Sequence, residues 1–232
     1  MSAEHRSIVI AMDGPSGTGK STLARRLAVQ LGGSYLDTGA MYRTATLHVL
    51  RSDLDPDDAG AVAAVTAELP LTIGTDPEHP WVQLGGQDVS AEIRGAAVTQ
   101  AVSAVSAVPE VRERLVARQR EIAEAAANGI VVEGRDIGTV VLPDADVKVY
   151  LTASAKDRAD RRTQQDRAEG RESDYDAVLA DVQRRDHLDS TRLTSPLRPA
   201  KDAVAVDTSG LGVDEVLDRL CALVAAETGV RQ

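Results

Sequence analysis

The stretch that decides the fold is Gly14-Pro15-Ser16-Gly17-Thr18-Gly19-Lys20-Ser21-Thr22, which directly follows a short apolar run. Its spacing is Gly, four residues of any kind, Gly-Lys, and Ser or Thr; the glycines let successive backbone N–H groups turn toward a phosphate chain. After it, Leu23 and Leu27 share one helical face, and Gly32 supplies a stop signal. The pattern therefore predicts a strand, a phosphate-binding loop and a helix.

Two side chains of this phosphate loop (residues 14–22) carry chemistry, and all nine residues are expected at the donor nucleotide. Lys20 is expected to reach the β- and γ-phosphates, and the Ser21 hydroxyl to ligate Mg²⁺. Glu133 ends an apolar run and is placed like a carboxylate that orients Mg²⁺ or the water bound to it. The alternative for Glu133 is a solvated charge at a strand end.

Five short β-branched runs alternate with helical stretches, which indicates a parallel sheet covered on both faces. These runs are residues 7–12, 34–37, 130–133, 147–151 and 203–207. Residues 71–94 consist of β-like runs broken by turn residues, which predicts a small antiparallel insert. Residues 96–127 return to a helical period and divide at Pro109, a residue that suits the first turn of a helix.

The composition excludes several classes of protein. A chain of 232 residues that is 43% apolar can bury a full core. The net charge of -10, the absence of Phe and the single Trp argue against a nucleic-acid binder. Cys221 is the one cysteine, so no disulfide framework is possible, and the first apolar run is too short to span a membrane. We expect a cytoplasmic monomer without nucleic-acid or membrane partners.

Three further segments carry a family resemblance. They are residues 37–43 (DTGAMYR), 133–141 (EGRDIGTVV) and 185–192 (RDHLDSTR). With these segments and the phosphate loop, the chain resembles bacterial-type cytidylate kinase over nearly its whole length. The resemblance implies an α/β P-loop three-layer fold with a five-stranded parallel sheet, a small antiparallel β insert and a helical lid.

The implied organisation is a single domain over residues 1–232. Its segments would be a core of 1–70, 95–153 and 172–232, an insert of about 71–94, and a lid of about 154–171. The implied activity is transfer of the γ-phosphoryl group of ATP to CMP or dCMP with Mg²⁺, giving ADP and CDP or dCDP, within pyrimidine nucleotide metabolism.

Site residues follow from the resemblance, position by position. The acceptor phosphate would be held by Arg43, Arg135 and Arg192, each suited to bidentate contact. The cytosine contacts would fall on Ser103, Arg112 and Asp136, since an accepting Asp and a donating Arg complement that base. The resemblance also implies that Asp37 and Thr38 belong to this acceptor site.

Arg185 and Asp189 match the family's sugar-contacting pair, and their alternative is a surface ion pair four residues apart on one helix. Arg158, Arg161 and Arg162 lie where the family has its lid, and their alternative is a solvated helix face. The residues expected to act on the transferred group are Lys20, Arg135, Arg158, Arg162 and Arg192.

Other interpretations remain open at this point. Another small kinase, such as a UMP/CMP, adenylate or shikimate kinase, would share the phosphate loop, but the insert and the Gly-Arg-Asp segment count against it. A GTPase is disfavoured because the only asparagine is Asn128, which leaves no Asn-Lys-x-Asp loop. A nucleotide-binding module that has lost turnover would differ from an enzyme only in a phosphotransfer assay.

Overall fold

Parallel strands organise the computed structural model, which describes residues 7–168, 170 and 172–229. The remaining positions, 1–6, 169, 171 and 230–232, fall in the predicted core and lid segments and lie outside the described residues. The main sheet has five parallel strands in the order β2-β6-β1-β7-β8. These strands are β1 Val9–Asp13, β2 Ser34–Asp37, β6 Ile130–Gly134, β7 Val147–Thr152 and β8 Val204–Asp207. This arrangement confirms the predicted fold class.

Eight α-helices occur in the described part of the chain. They are α1 Lys20–Leu31, α2 Thr38–Arg51, α3 Ala59–Val65, α4 Ala96–Val105, α5 Pro109–Glu124, α6 Ala155–Ala168, α7 Tyr175–Thr191 and α8 Val213–Thr228. The predicted division at Pro109 is confirmed, because Pro109 is the first residue of α5. No helix among these residues is both long and apolar enough to cross a membrane.

The alternation of side chains along β1 explains why helices cover both faces of the sheet. Ile10 and Met12 pack with residues of α1 and α8, whereas Ala11 packs on the other face with residues of α2, α4 and α5. All three are fully buried. Because both faces of β1 are apolar, the central strand can be polar only at its end, where Asp13 stands.

The predicted insert is a three-stranded antiparallel sheet, β3 Leu71–Ile73, β4 Val82–Leu84 and β5 Gln87–Asp88. Its buried residues Val82 and Leu84 pack against α2 through Ala40 and Leu47. Arg51 of α2 adds an ion pair to Glu92, in the short helical turn after β5. The insert is therefore seated on the helix that follows β2.

The sheet places its chemistry at one edge. The strands are parallel, so their carboxyl ends, which include Asp13, Asp37 and Gly134, lie on the same side. In open α/β sheets this is the side where ligands bind. The described cavity with the phosphate loop in its wall lies here, with a volume of about 270 Å³.

Candidate active site

The phosphate loop takes its shape from backbone conformations that only glycine tolerates. Gly14 has a φ of 149°, and a Cβ there would lie 2.3 Å from the carbonyl oxygen of Leu151. Gly17 and Gly19 also have positive φ values, of 82° and 86°. Left-handed positions of this kind are strained for residues with a Cβ. The loop thus turns sharply from β1 into α1, with the helix N-terminus facing the cavity side of the sheet.

Lys20 opens α1 and is almost completely buried, at 7% exposure. Its Nζ donates to the carbonyl oxygen of Pro15 at 2.8 Å. Burial, and then the nearby Arg135 guanidinium, lower the pKa of Lys20 to about 7. An anion bound beside Lys20 would favour the charged amine and raise this pKa again.

Glu133 is a buried carboxylate beside Lys20, so the alternative of a solvated strand end is wrong. The Tyr35 hydroxyl donates to its Oε1, and the Ser21 hydroxyl is also hydrogen-bonded to it. Burial, followed by the charge of Asp37, raises the pKa of Glu133 to about 7. The oxygens of Ser21 and Glu133 form the hard donor set that Mg²⁺ prefers.

A turn after β6, residues 135–141, carries two of the predicted acceptor residues. Arg135 donates from Nε to Asp189 at 2.8 Å and from Nη1 to the carbonyl oxygen of Gly14 at 2.8 Å. Burial alone would lower the pKa of Arg135, but the Asp189 carboxylate raises it above its ordinary value. We call residues 135–141 the β6 turn; it contacts the phosphate loop directly through Arg135.

Three other arginines bring excess positive charge to the cavity. Burial, and then repulsion from Arg185, lower the pKa of Arg43 to about 9. Burial, and then repulsion from Arg135, lower the pKa of Arg185 to about 10. The pKa of Arg192 is lowered as well, by burial and by Arg112. Among the described residues, Arg185 Nε and Arg192 Nη2 have no hydrogen-bond partner. Arg192 Nη2 lies 3.9 Å from Asp136 Oδ1, beyond hydrogen-bond distance. Clustered guanidinium groups with donors to spare are suited to bind an anion such as phosphate.

The alternative of a surface ion pair between Arg185 and Asp189 is wrong, because both residues are buried in the cavity wall. Asp189 pairs with Arg135 at 2.8 Å. Arg185 instead approaches the Ser16 hydroxyl of the phosphate loop, at 3.4 Å. Helix α7 thus joins the phosphate loop and the β6 turn from one side.

Arg112 and Asp136 form the most buried ion pair of this region, each side chain being 4% exposed. Arg112 also donates to the Ser106 carbonyl at 3.1 Å and lies over the Tyr42 ring, 5.2 Å from its centroid. Its Nε has no partner among the described residues. Ser103 lies in the same wall, so the three residues predicted at cytosine are brought together.

The lid arginines do not act alike. Arg162 lines the cavity, whereas Arg158 is 4% exposed and lies outside the lining. Arg158 donates to both carboxylate oxygens of Asp186 and to the carbonyl oxygen of Ser16. Arg161 points elsewhere again and donates to Thr208. Arg158 therefore does not lie on a solvated helix face. It contacts the phosphate loop from α6 through the Ser16 carbonyl.

Most of the predicted site residues lie in the cavity wall. They are Ser16, Gly17, Gly19, Lys20, Ser21, Thr22, Asp37, Thr38, Arg43, Ser103, Arg112, Glu133, Arg135, Asp136, Arg162, Arg185, Asp189 and Arg192. The predicted residues outside the lining are Gly14, Pro15, Thr18 and Arg158. The first three shape the loop from beneath: the Pro15 carbonyl, for example, accepts from both Lys20 and the Thr18 hydroxyl.

Sequence reasoning missed several residues of the site. Tyr42 lines the cavity and packs against Arg112, and Arg94 lies 3.7 Å from Asp37 at the cavity wall.

Two further missed residues hold parts of the site in place. The Tyr35 hydroxyl donates to Glu133, and the Asp13 carboxylate accepts two backbone N–H groups of the β6 turn. Asp13 directly precedes Gly14, and Tyr42 directly precedes Arg43. Their position beside predicted site residues is the sequence signal that could have found them.

The chain is similar to several known proteins. The family model described as cytidylate kinase matches residues 10–226. A cytidylate kinase of Nocardia farcinica is 68% identical over 225 residues, which cover 97% of each chain. A cytidylate kinase of Rhodococcus opacus is 66% identical over 226 residues, covering 97% of this chain and 98% of the relative. A crystal structure of an uncharacterized protein from Eubacterium ventriosum shares the fold, with a TM-score of 0.55 at 15% identity, covering 95% of this chain and 99% of that one.

Proposed function

This chain belongs to the cytidylate kinase family, and on that premise we propose that it transfers the γ-phosphoryl group of ATP to CMP or dCMP, with Mg²⁺. The products are ADP and CDP or dCDP. The observation that carries the proposal is that one cavity wall contains the phosphate loop, an arginine cluster and the buried Arg112–Asp136 pair.

The donor end of the site is the phosphate loop. Its backbone N–H groups and the α1 N-terminus favour the phosphate chain of a nucleoside triphosphate. The triphosphate adds negative charge beside Lys20, which favours the charged amine, and the ammonium group neutralises charge on the transferred group.

A magnesium ion fits the residues beside Lys20. Ser21 and the buried Glu133 would hold it, directly or through water, and Tyr35 fixes the carboxylate orientation. When bound, Mg²⁺ supplies positive charge that offsets the charge on the phosphate oxygens.

The acceptor end receives a phosphate monoester. Its second pKa is near 6, so the attacking oxygen is already ionised at neutral pH and needs no general base. Arg43, Arg135 and Arg192 offset the repulsion between two polyanions and hold the acceptor for in-line attack. Burial, and then neighbouring arginines, lower the pKa of Arg43 and of Arg192, and the negative charge of an acceptor phosphate would offset both effects.

Base selection rests on Arg112, Asp136 and Ser103. Cytosine presents an amino donor beside ring and carbonyl acceptors, which match an accepting carboxylate and a donating guanidinium. Uracil reverses part of that order and would leave a buried carboxylate facing a carbonyl. This argues for CMP or dCMP over UMP.

The proposal is tested by measuring product formation from ATP with a panel of acceptors: CMP, dCMP, UMP, dTMP, AMP and shikimate. We expect CMP and dCMP to give the highest kcat/KM. Turnover of UMP, AMP or shikimate at a higher kcat/KM would contradict the assignment of the acceptor. ATP binding without turnover of any acceptor would instead favour a regulatory nucleotide-binding module.

A further inference from the structure

Asp13 is a buried carboxylate that none of the steps above uses. It is the last residue of β1, is 4% exposed and lies outside the cavity lining. Its Oδ1 accepts the backbone N–H of Ile137 and its Oδ2 accepts that of Gly138, each at 2.8 Å. Both donors belong to the β6 turn, immediately after Arg135 and Asp136.

A second link joins the same two loops at the next residue. The carbonyl oxygen of Gly14 accepts from Arg135 Nη1 at 2.8 Å. Asp13 also stands beside Gly134 in the register of the two parallel strands. Three hydrogen bonds, from two consecutive residues, thus connect the start of the phosphate loop to the β6 turn.

Burial of the Asp13 carboxylate costs free energy, and its two hydrogen bonds need both of its oxygens. Burial raises the pKa of Asp13 to about 6, against the two backbone N–H groups that lower it. A buried charge is costly, and an uncharged side chain would avoid that cost. Only a carboxylate, however, accepts on both oxygens at once, because an amide presents one oxygen and one donor.

We propose that Asp13 is a positioning residue: by holding the backbone of the β6 turn, it sets the placement of Arg135 and Asp136 relative to the phosphate loop. The inference rests on the proposed function, since those two residues hold the acceptor phosphate and base. Asp13 would then align the acceptor with the transferred phosphoryl group without touching either nucleotide. Misplacement of reacting groups by about 1 Å can cost about 10²-fold in rate.

The test compares Asp13→Asn with Asp146→Asn. Asp146 makes the same kind of bond at the opposite end of β1, where it accepts the backbone N–H of Val9 at 2.9 Å. In Asp13→Asn, either amide rotamer turns an NH₂ group toward a backbone N–H and loses one bond. The measurements are kcat and KM for CMP, the Kd of CMP and of a non-hydrolysable ATP analogue measured separately, and Tm.

We expect Asp13→Asn to lower kcat by about 10²-fold, with each Kd changed by less than about threefold because each half-site stays intact. Asp146→Asn should keep the wild-type kcat. Asp13→Glu, which restores the charge but moves the carboxylate by one methylene, should not recover kcat. A wild-type kcat in Asp13→Asn, or recovery by Asp13→Glu, would overturn the inference.

A folding defect is separated from the proposed role in the same series. If Asp13→Asn does not fold, Asp13→Ser carries the comparison, since it keeps one acceptor in a smaller side chain. Failure of both variants to fold would overturn the inference in favour of a purely structural role. Failure of the proposed function would appear differently, as absence of CMP phosphorylation by the wild-type enzyme itself.

Discussion

Arg112 and Asp136 are 24 positions apart in the sequence, yet they form an ion pair in which each side chain is 4% exposed. Removing one partner of such a pair leaves an uncompensated charge, which commonly costs about 3–5 kcal/mol. The pair is therefore part of the fold as well as a candidate reader of the base, and its variants need a stability measurement beside the kinetics.

Base selectivity gives the first prediction. Asp136→Ala and Arg112→Met should lower kcat/KM for CMP far more than for UMP. Uracil is disfavoured because it leaves these buried polar groups without partners, and the substitutions remove that penalty. The ratio of the two kcat/KM values is the measurement, taken below the Tm of each variant. Arg118→Met is the matched control, since Arg118 lies on the same helix in an exposed pair with Glu121. An unchanged CMP to UMP ratio in both site variants would place base recognition elsewhere.

Lys20 gives the second prediction. Lys20→Ala should lower kcat by about 10²-fold or more, since one preorganised charge on the reacting group is commonly worth about 3 kcal/mol. Its Tm should stay close to the wild-type value, because burial and Arg135 already disfavour the charge. Arg26→Ala is the control, because Arg26 lies on the same helix as Lys20 and makes an exposed ion pair with Asp214 of α8. Near-wild-type turnover in Lys20→Ala would remove Lys20 from the mechanism.

Proton exchange on nucleotide binding gives the third prediction. Burial, and then the Arg135 charge, lower the pKa of Lys20 from 10.5 to about 7 in the free protein. A bound triphosphate supplies counter-charge and moves this pKa upward again, so binding should take up a proton between pH 7 and 10. Calorimetry of ATP binding without Mg²⁺, in buffers of different ionisation enthalpy, measures the uptake.

Glu133 must be separated from Lys20 in that experiment, because its raised pKa of about 7 also lies near the working pH. A nearby polyanion raises a carboxylate pKa further, which would add proton uptake of its own. Lys20→Met and Glu133→Gln therefore divide the signal between the two groups. Equal uptake by Lys20→Met and wild type would contradict the assignment to Lys20.

Two of the three lid arginines, Arg158 and Arg162, give the fourth prediction. Arg162 lies in the cavity wall with a long contact of 3.5 Å to Asp166, so Arg162→Ala should lower kcat with little change in Tm or CMP affinity. Arg158→Ala should lower both kcat and Tm, because it strands the partly buried Asp186 carboxylate and frees the Ser16 carbonyl. Thermal unfolding and steady-state kinetics measure the contrast. Identical Tm changes in the two variants would contradict it.

Local chemistry explains which features could be predicted from the sequence. The phosphate loop is encoded by spacing, because Gly14, Gly17 and Gly19 each need a backbone conformation that a Cβ would strain. Pro109 begins α5 because its fixed φ and missing N–H suit the first helical turn. Ser154 caps α6 by accepting the N–H of Asp157, because a Ser three residues before an acidic residue can form a capping box.

Only the tertiary structure decided which neighbours in the sequence face the cavity. Arg158, Arg161 and Arg162 look alike in the sequence, but successive helical residues point about 100° apart, and the packing of α6 selects Arg162 for the cavity. Nothing in the local sequence marks Asp13 either. Its role depends on the strand order, which places β6 beside β1 so that two backbone N–H groups of the β6 turn donate to its carboxylate. The sequence determined the phosphate loop because its conformation is local, whereas contacts between distant segments depend on how the strands are ordered and the helices packed.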